Sequence, residues 1–253
     1  MLAIRVMPCL LMDQGALVKT VQFKKPTYIG DPVNAVRIFN QKEVDELLLI
    51  DITATTEKRG IDFETLEKLV TECFMPICYG GGVDNLVDMR RLYHLGIEKI
   101  SLSAAAITNP ELVREAAAEF GNQAIVVTLD VKKNLFGKHT VRTHQGKTDT
   151  KRSPVEVARE MEQAGAGEIL LYSIDKDGTW SGFDLDLIQN VTRAVGIPVI
   201  ACGGAGELAH LRSAVNEAGA SAVAIGSMAV FQAKDLGVLI KFPTREQQEK
   251  TFE

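Results

Sequence analysis

Short apolar runs of β type alternate along this chain with longer segments whose apolar residues recur at helical spacing. Eight runs read as strands: Ile4 to Leu10, Glu46 to Ile52, Pro76 to Tyr79, Lys99 to Leu102, Ala124 to Asp130, Glu168 to Ser173, Pro198 to Cys202 and Ala222 to Ile225. Between them, Asp62 to Cys73, Leu86 to Leu95, Pro110 to Phe120, Pro154 to Ala164 and Asp184 to Val195 have the pattern of amphipathic helices. Strand followed by helix throughout predicts a parallel sheet covered by helices.

The pattern also repeats itself at a spacing of about 122 residues. Gly60-Ile61-Asp62-Phe63-Glu64-Thr65-Leu66 returns as Gly182-Phe183-Asp184-Leu185-Asp186-Leu187-Ile188, and Gly81-Gly82 returns as Gly203-Gly204. Pro32 pairs with Pro154, Glu46 with Glu168 and Pro76 with Pro198. Two halves of four strand–helix units, about 1–122 and 123–240, predict one (β/α)₈ TIM barrel domain over 1–253 with a short tail at 241–253. A doubly wound open sheet is the alternative, disfavoured because no GxGxxG follows a first strand.

Composition adds exclusions. With 253 residues, 46 % hydrophobic and 24 % charged, the chain has the make-up of a globular protein with a sizeable core. Lys plus Arg is 28 against 33 for Asp plus Glu, a net charge of −5 without a basic run, so nucleic acid is not an expected partner. The apolar start is interrupted by Arg5 and lacks a cleavage site, and no stretch reaches the roughly 18 apolar residues of a membrane span. A cytoplasmic protein without a membrane contact is the expectation. Cys9, Cys73, Cys78 and Cys202 lack zinc-site spacing and read as structural thiols, and no motif calls for a metal or other cofactor.

In a barrel of this type the chemistry sits at the carboxyl ends of the strands. Glycine and serine recur there: Tyr79-Gly80-Gly81-Gly82, Ser101-Leu102-Ser103, Cys202-Gly203-Gly204-Ala205-Gly206 and Ile225-Gly226-Ser227. Glycine lets backbone N–H groups approach an anion, though it equally suits a tight turn. Because Gly81, Gly82 and Ser103 stand in one half and Gly203, Gly204, Gly226 and Ser227 in the other, two phosphate pockets are expected on opposite sides of the mouth. A substrate with two separated phosphates would bridge them. Asp130 finishes the fifth run as a carboxylate after apolar residues, a costly placement that suggests acid/base use. Asp51 ends the second run and reads as a supporting carboxylate of the substrate site rather than a catalyst. Asp177-Gly178 lies in the loop after the sixth and is a candidate for binding the substrate, though Asp-Gly equally suits a turn. Lys19, after the first, is a second candidate catalytic residue that would neutralise an anionic substrate, or else be solvated. Aligning Arg5 to Met12 with Ala124 to Val131 sets Leu11 opposite Asp130.

Several segments together carry a resemblance: Met1-Leu2-Ala3 with Arg5 and Pro8-Cys9-Leu10, Gly30-Asp31-Pro32-Val33, Asp45-Glu46-Leu47 with Leu49 to Ala54, Gly80-Gly81-Gly82, Gly121 to Asp130, Gly165 to Leu171, Asp175 to Thr179, and Ile197 to Gly206. Over nearly the whole chain they resemble the cyclase subunit of imidazole glycerol phosphate synthase, the histidine-biosynthesis barrel. The resemblance implies a partner glutaminase, forming a heterodimer, whose ammonia crosses the barrel to react with a ribulosyl-formimino ribonucleotide. It implies a gate of four charged residues at the amino end, here Arg5, Glu46, Lys99 and Glu168, which could also be a salt-bridge cluster closing the barrel floor. Glu98 matches a residue that docks the glutaminase.

Departures from the family gather at the reacting face. Leu11 stands where the second of two acid/base aspartates belongs, and leucine transfers no proton. Ser103-Ala104 replaces a polar Asn-Thr pair, Tyr172 replaces a Thr, and the terminal helix after Phe231 is expected to give way to a shorter tail with Pro243. This combination is similar to a paralogous branch that supplies ammonia for acetamidino groups on surface-polysaccharide sugars, a likeness also carried by Pro8 to Leu11, Leu17 to Val21 and Tyr28 to Pro32. The acceptor would then be a phosphorylated small molecule or sugar. Two other functions remain open: a true cyclase working with Asp130 alone, and a non-catalytic ammonia conduit. No P-loop motif is present, so any ATP-driven activation falls to a partner.

Overall fold

Residues in the apolar runs are buried on both faces, as strands walled by helices on one side and by each other on the inside require. The computed structural model describes residues 4–253; Met1-Leu2-Ala3 of the resemblance lies outside them. The strands are β1 (Arg5–Asp13), β2 (Leu47–Asp51), β3 (Ile77–Gly80), β4 (Lys99–Leu102), β5 (Ile125–Lys133), β6 (Glu168–Ser173), β7 (Val199–Cys202) and β8 (Ala222–Ile225). Each pairs in parallel with the next, and the ring closes with β8 on β1 from Arg5↔Ala222 to Pro8↔Ile225. The chain is a closed eight-stranded parallel barrel with helices outside, the (β/α)₈ architecture the alternation predicts.

Alternation within each strand divides the core in two. Val6, Leu10 and Met12 of β1 face the helices, while Met7, Cys9 and Leu11 face the barrel interior beside Leu48, Cys78, Val126, Leu170 and Ile200. Fully burying each such side chain contributes roughly 1.5–3 kcal/mol. Thr128 and Asp130 share the inward face with Val126, which is why a polar residue near the end of β5 reaches the mouth.

Matching positions in the repeat have matching geometry. Pro32 and Pro154 each open a helix, Pro32–Gln41 and Pro154–Ala164, at the position where a missing N–H costs nothing. Asp62 caps the helix Phe63–Glu72 by accepting from Thr65 N at 3.1 Å, and Asp184 caps Leu185–Thr192 by accepting from Leu187 N at 3.1 Å.

Two insertions roof the mouth. After β1, tight turns at Gln14-Gly15 and Gln22-Phe23, with positive φ throughout, fold Ala16–Val21 and Lys24–Gly30 into antiparallel strands. Beyond Asp130, β5 continues to Lys133 and pairs with His139–Thr143, which pairs with Thr148–Asp149.

The tail corrects an expectation. Instead of a helix-free end after Pro243, Arg245–Phe252 is helical, started by a reciprocal cap between Thr244 and Gln247. Phe242 anchors the approach by meeting Phe39 edge-on at 6.4 Å between ring centres.

Candidate active site

At the amino end of the barrel, charges alternate around a closed square. Arg5 Nη1 donates to Glu46 Oε2 at 2.6 Å and Arg5 Nη2 to Glu168 Oε1 at 2.5 Å. Lys99 Nζ donates to Glu46 at 3.1 Å and to Glu168 at 3.2 Å. Each buried carboxylate thus meets two cations, which offsets the desolvation a lone buried charge would suffer. Glu98 is exposed on the same face. Above the square the interior is apolar up to the Ser101–Thr128 hydroxyl pair, 2.5 Å apart.

The carboxyl end opens into a cavity of about 770 Å³. Asp51, Gly81, Gly82, Ser103 and Asp130 line it, together with Leu11 and Tyr172. Lys19, Asp177, Gly178, Gly203, Gly204, Gly226 and Ser227 do not; the structure sets the two groups of candidate residues apart. His144 and Gln145, from the turn between the strands His139–Thr143 and Thr148–Asp149, also line the cavity. Nothing in their local sequence marks them, because only the fold carries that turn across the mouth. There Gln145 Nε2 donates to Ile52 O beyond β2 at 2.5 Å.

Asp130 lies at the base of the cavity, with Ser103 Oγ donating to its Oδ2 at 3.5 Å. Burial pushes its carboxyl up to about 7; the Ser103 contact opposes this and the charge of Asp177 adds to it. An acid at that value exchanges a proton readily near neutrality. Leu11 is buried among Val18, Ile50 and other apolar groups, so the opposite wall offers no proton.

Asp51 is a supporting group. Its Oδ1 accepts from Thr53 N at 3.0 Å, Ala54 N at 2.9 Å and Arg59 Nη2 at 3.2 Å, which fixes the loop after β2. That loop abuts the glycines after β3. Gly81 has φ +112°, and a Cβ there would come 2.2 Å from Asp51 O, so neither the angle nor the space admits a side chain.

Lys19 is buried and paired rather than solvated. Its Nζ donates to Asp177 Oδ1 at 3.0 Å and lies 3.5 Å from Tyr172 Oη, while Tyr172 Oη donates to the same Oδ1 at 3.0 Å. Thr20 Oγ1, at 2.7 Å, and Phe23 N, at 3.2 Å, donate to Asp177 Oδ2. Although burial opposes it, the charge of Lys19 and these hydrogen bonds hold the Asp177 carboxyl below its ordinary value. Cys9, Cys78 and Cys202 are buried free thiols in strands, and Cys73 is half-buried at the end of its helix.

Residues 5–234 match the family model described as histidine biosynthesis protein. The chain belongs to that family. Among its histidine-biosynthesis relatives, the Pseudomonas aeruginosa protein named "Putative imidazole glycerol phosphate synthase subunit hisF2" is 48 % identical over 239 residues, covering 94 % of this chain and 95 % of the relative. A Leptospira interrogans protein named "Putative imidazole glycerol phosphate synthase subunit HisF" is 43 % identical over 253 residues, the full length of both chains. A Vibrio vulnificus protein named "Putative imidazole glycerol phosphate synthase subunit hisF3" is 42 % identical over 254 residues, covering all of this chain and 98 % of the relative. These likenesses place the chain in the HisF-like, cyclase-subunit part of the histidine biosynthesis family. No helix among the described residues is long and apolar enough to cross a membrane.

Proposed function

We propose that this chain is the ammonia-using subunit of a glutaminase-dependent synthase, and that its nitrogen goes to acetamidino groups on surface-polysaccharide sugars rather than into an imidazole ring. One observation carries this reading: the charged square at the amino end is complete, while Leu11 occupies the wall of the cavity opposite Asp130. On this reading the machinery for admitting ammonia is kept and half of the ring-closing machinery is gone.

The glutaminase docks on the amino face beside Glu98. Ammonia is neutral and small, so the apolar interior above the square offers it little resistance, whereas ammonium would suffer a large desolvation penalty. At the mouth its nitrogen attacks the carbonyl carbon of an N-acetyl group. Asp130, ionised at the start of the step, takes the proton that the attacking nitrogen gives up. The carbonyl oxygen leaves as an activated group, with activation supplied by a partner that uses a nucleoside triphosphate.

The test is incubation of the purified protein with the cyclase family's ribonucleotide and high ammonium at alkaline pH, which bypasses the glutaminase. Turnover is expected at least about 10²-fold below that of a two-aspartate family member; turnover near that member's would sink the proposal. In the positive arm, glutamine, glutaminase and the activating partner are expected to exchange oxygen for nitrogen on an N-acetyl sugar, read by mass. Persistence of that exchange in Asp130→Asn would reduce this chain to a conduit.

A further inference from the structure

The two sets of glycine and serine residues around the mouth are related by the repeat, yet only one borders the cavity. Gly81, Gly82 and Ser103 line it beside the basic side chain of Lys58. Gly203, Gly204 and Ser227 are buried. The difference lies in what stands between the halves.

Tyr172 sits in register with Asp130 of β5 on one side and with Cys202 of β7 on the other. Its ring faces the cavity and meets Phe23 edge-on, with centroids 5.0 Å apart. Behind the ring its hydroxyl joins Lys19 and Asp177, and all three residues are at most 5 % exposed. Lys19 also occupies the place an anion would need. Its stem lies so close over Gly226 that a Cβ there would stand 2.7 Å from Lys19 Cε and 3.0 Å from Nζ. Gly203 lies against the ring itself: a Cβ on it would come 3.3 Å from Tyr172 Cδ2. The cation that would answer a second phosphate is neutralised by Asp177, and the Tyr172 ring stands between the cavity and the glycines after β7.

We propose that Tyr172 is a specificity-determining wall that closes the β7–β8 half of the mouth, so that the acceptor carries a phosphate at one end only, seated at Gly81, Gly82 and Ser103. The remainder of the acceptor lies over Asp130, beneath the turn carrying His144 and Gln145, and brings no second phosphate. This rests on the reading of the mouth as the acceptor site and narrows its substrate class from bisphosphates to monophosphates.

The experiment counts inorganic phosphate bound per chain by calorimetry, without ammonia, glutaminase or acceptor, so its failure would leave the ammonia reading untouched. The wild-type chain is expected to bind one phosphate, and Ser103→Asp is expected to weaken it at least tenfold by setting a carboxylate in the seat. Tyr172→Phe keeps the wall and is expected to keep a count of one, whereas Tyr172→Thr opens the second half and is expected to bind two. On the wild type, fructose 1,6-bisphosphate is expected to bind no more tightly than fructose 6-phosphate. Two phosphates or none on the wild type, a single phosphate indifferent to Ser103→Asp, or a bisphosphate bound tenfold more tightly than the monophosphate would each overturn the proposal. A folded Tyr172→Thr that still binds one would overturn the role of the wall. If that variant does not fold, the counts on the wild type, Tyr172→Phe and Ser103→Asp decide.

Discussion

Asp130 stands apart among the carboxylates of the mouth because its surroundings hold its proton. The folded chain keeps that proton until about pH 7, whereas the unfolded chain releases it near the ordinary carboxylate value of about 3.9. Across that window unfolding releases a proton, so this group makes the fold less stable as pH rises. Asp130→Asn cannot ionise, and is expected to match the wild type near pH 4 and at pH 8 to have the higher urea midpoint, a gain in unfolding free energy of about a few kcal/mol at most. A midpoint difference that does not grow between the two pH values would refute the raised acidity constant. The carboxylate itself was legible, since a charged residue closing an apolar strand stands out in any sequence. The fate of Lys19 was not: its contacts with Tyr172 and Asp177 span 153 and 158 residues, and only the folded barrel shows that the cation is already neutralised.

At the scale of elements, Asp184 ties a helix to an insertion. Besides capping Leu185–Thr192, it accepts from His139 Nε2 at 3.0 Å and lies 3.4 Å from Lys133 Nζ. Burial opposes ionisation, but the His139 contact, the Leu187 N–H and the Lys133 charge together hold the carboxyl at about 2. The stability it confers is therefore complete above about pH 4 and lost as pH falls through about 2. Asp62, its mate in the repeat, has the cap without the contacts to His139 and Lys133. Asp62→Ala is expected to cost about 1 kcal/mol, the usual loss of a cap. Asp184→Ala should cost more at pH 7 and also speed amide exchange in His139–Thr143; equal costs with unchanged exchange would show that the His139 contact does not hold the insertion. Helix starts such as these were readable from Asp followed by an apolar repeat. The strands Ala16–Val21 and Lys24–Gly30 escaped notice because the second is largely exposed and has no apolar alternation. The terminal helix escaped because its only strong signal is Thr244 with Gln247, on a segment without a buried residue.

For the whole molecule, the barrel was legible because alternation and repeat point to the same ring, while the partition of its mouth depends on side chains that meet only across the ring. The square at the opposite end bears on coupling between the ends. Lys99→Met would leave Glu46 and Glu168 bridged through Arg5 alone among its four members. If the square meters ammonia, the variant should release more than one glutamate per nitrogen transferred, and free ammonium should drive it as well as the wild type. A ratio that stays at one would mean the square is only a floor.

The roof over the mouth is built by exchange. The insertion after β1 binds the loop after β6, through Gln22 N to Asp177 O at 3.0 Å, and the insertion after β5 binds the end of β2 through Gln145. Each lender stands four strands from its counterpart, and so does each borrower. Each half of the chain therefore lends part of its cover to a strand end of the other. Split at the repeat boundary, the two pieces would each carry a lid that fits the other, so the duplicated sequence has become a pair of mutually dependent parts.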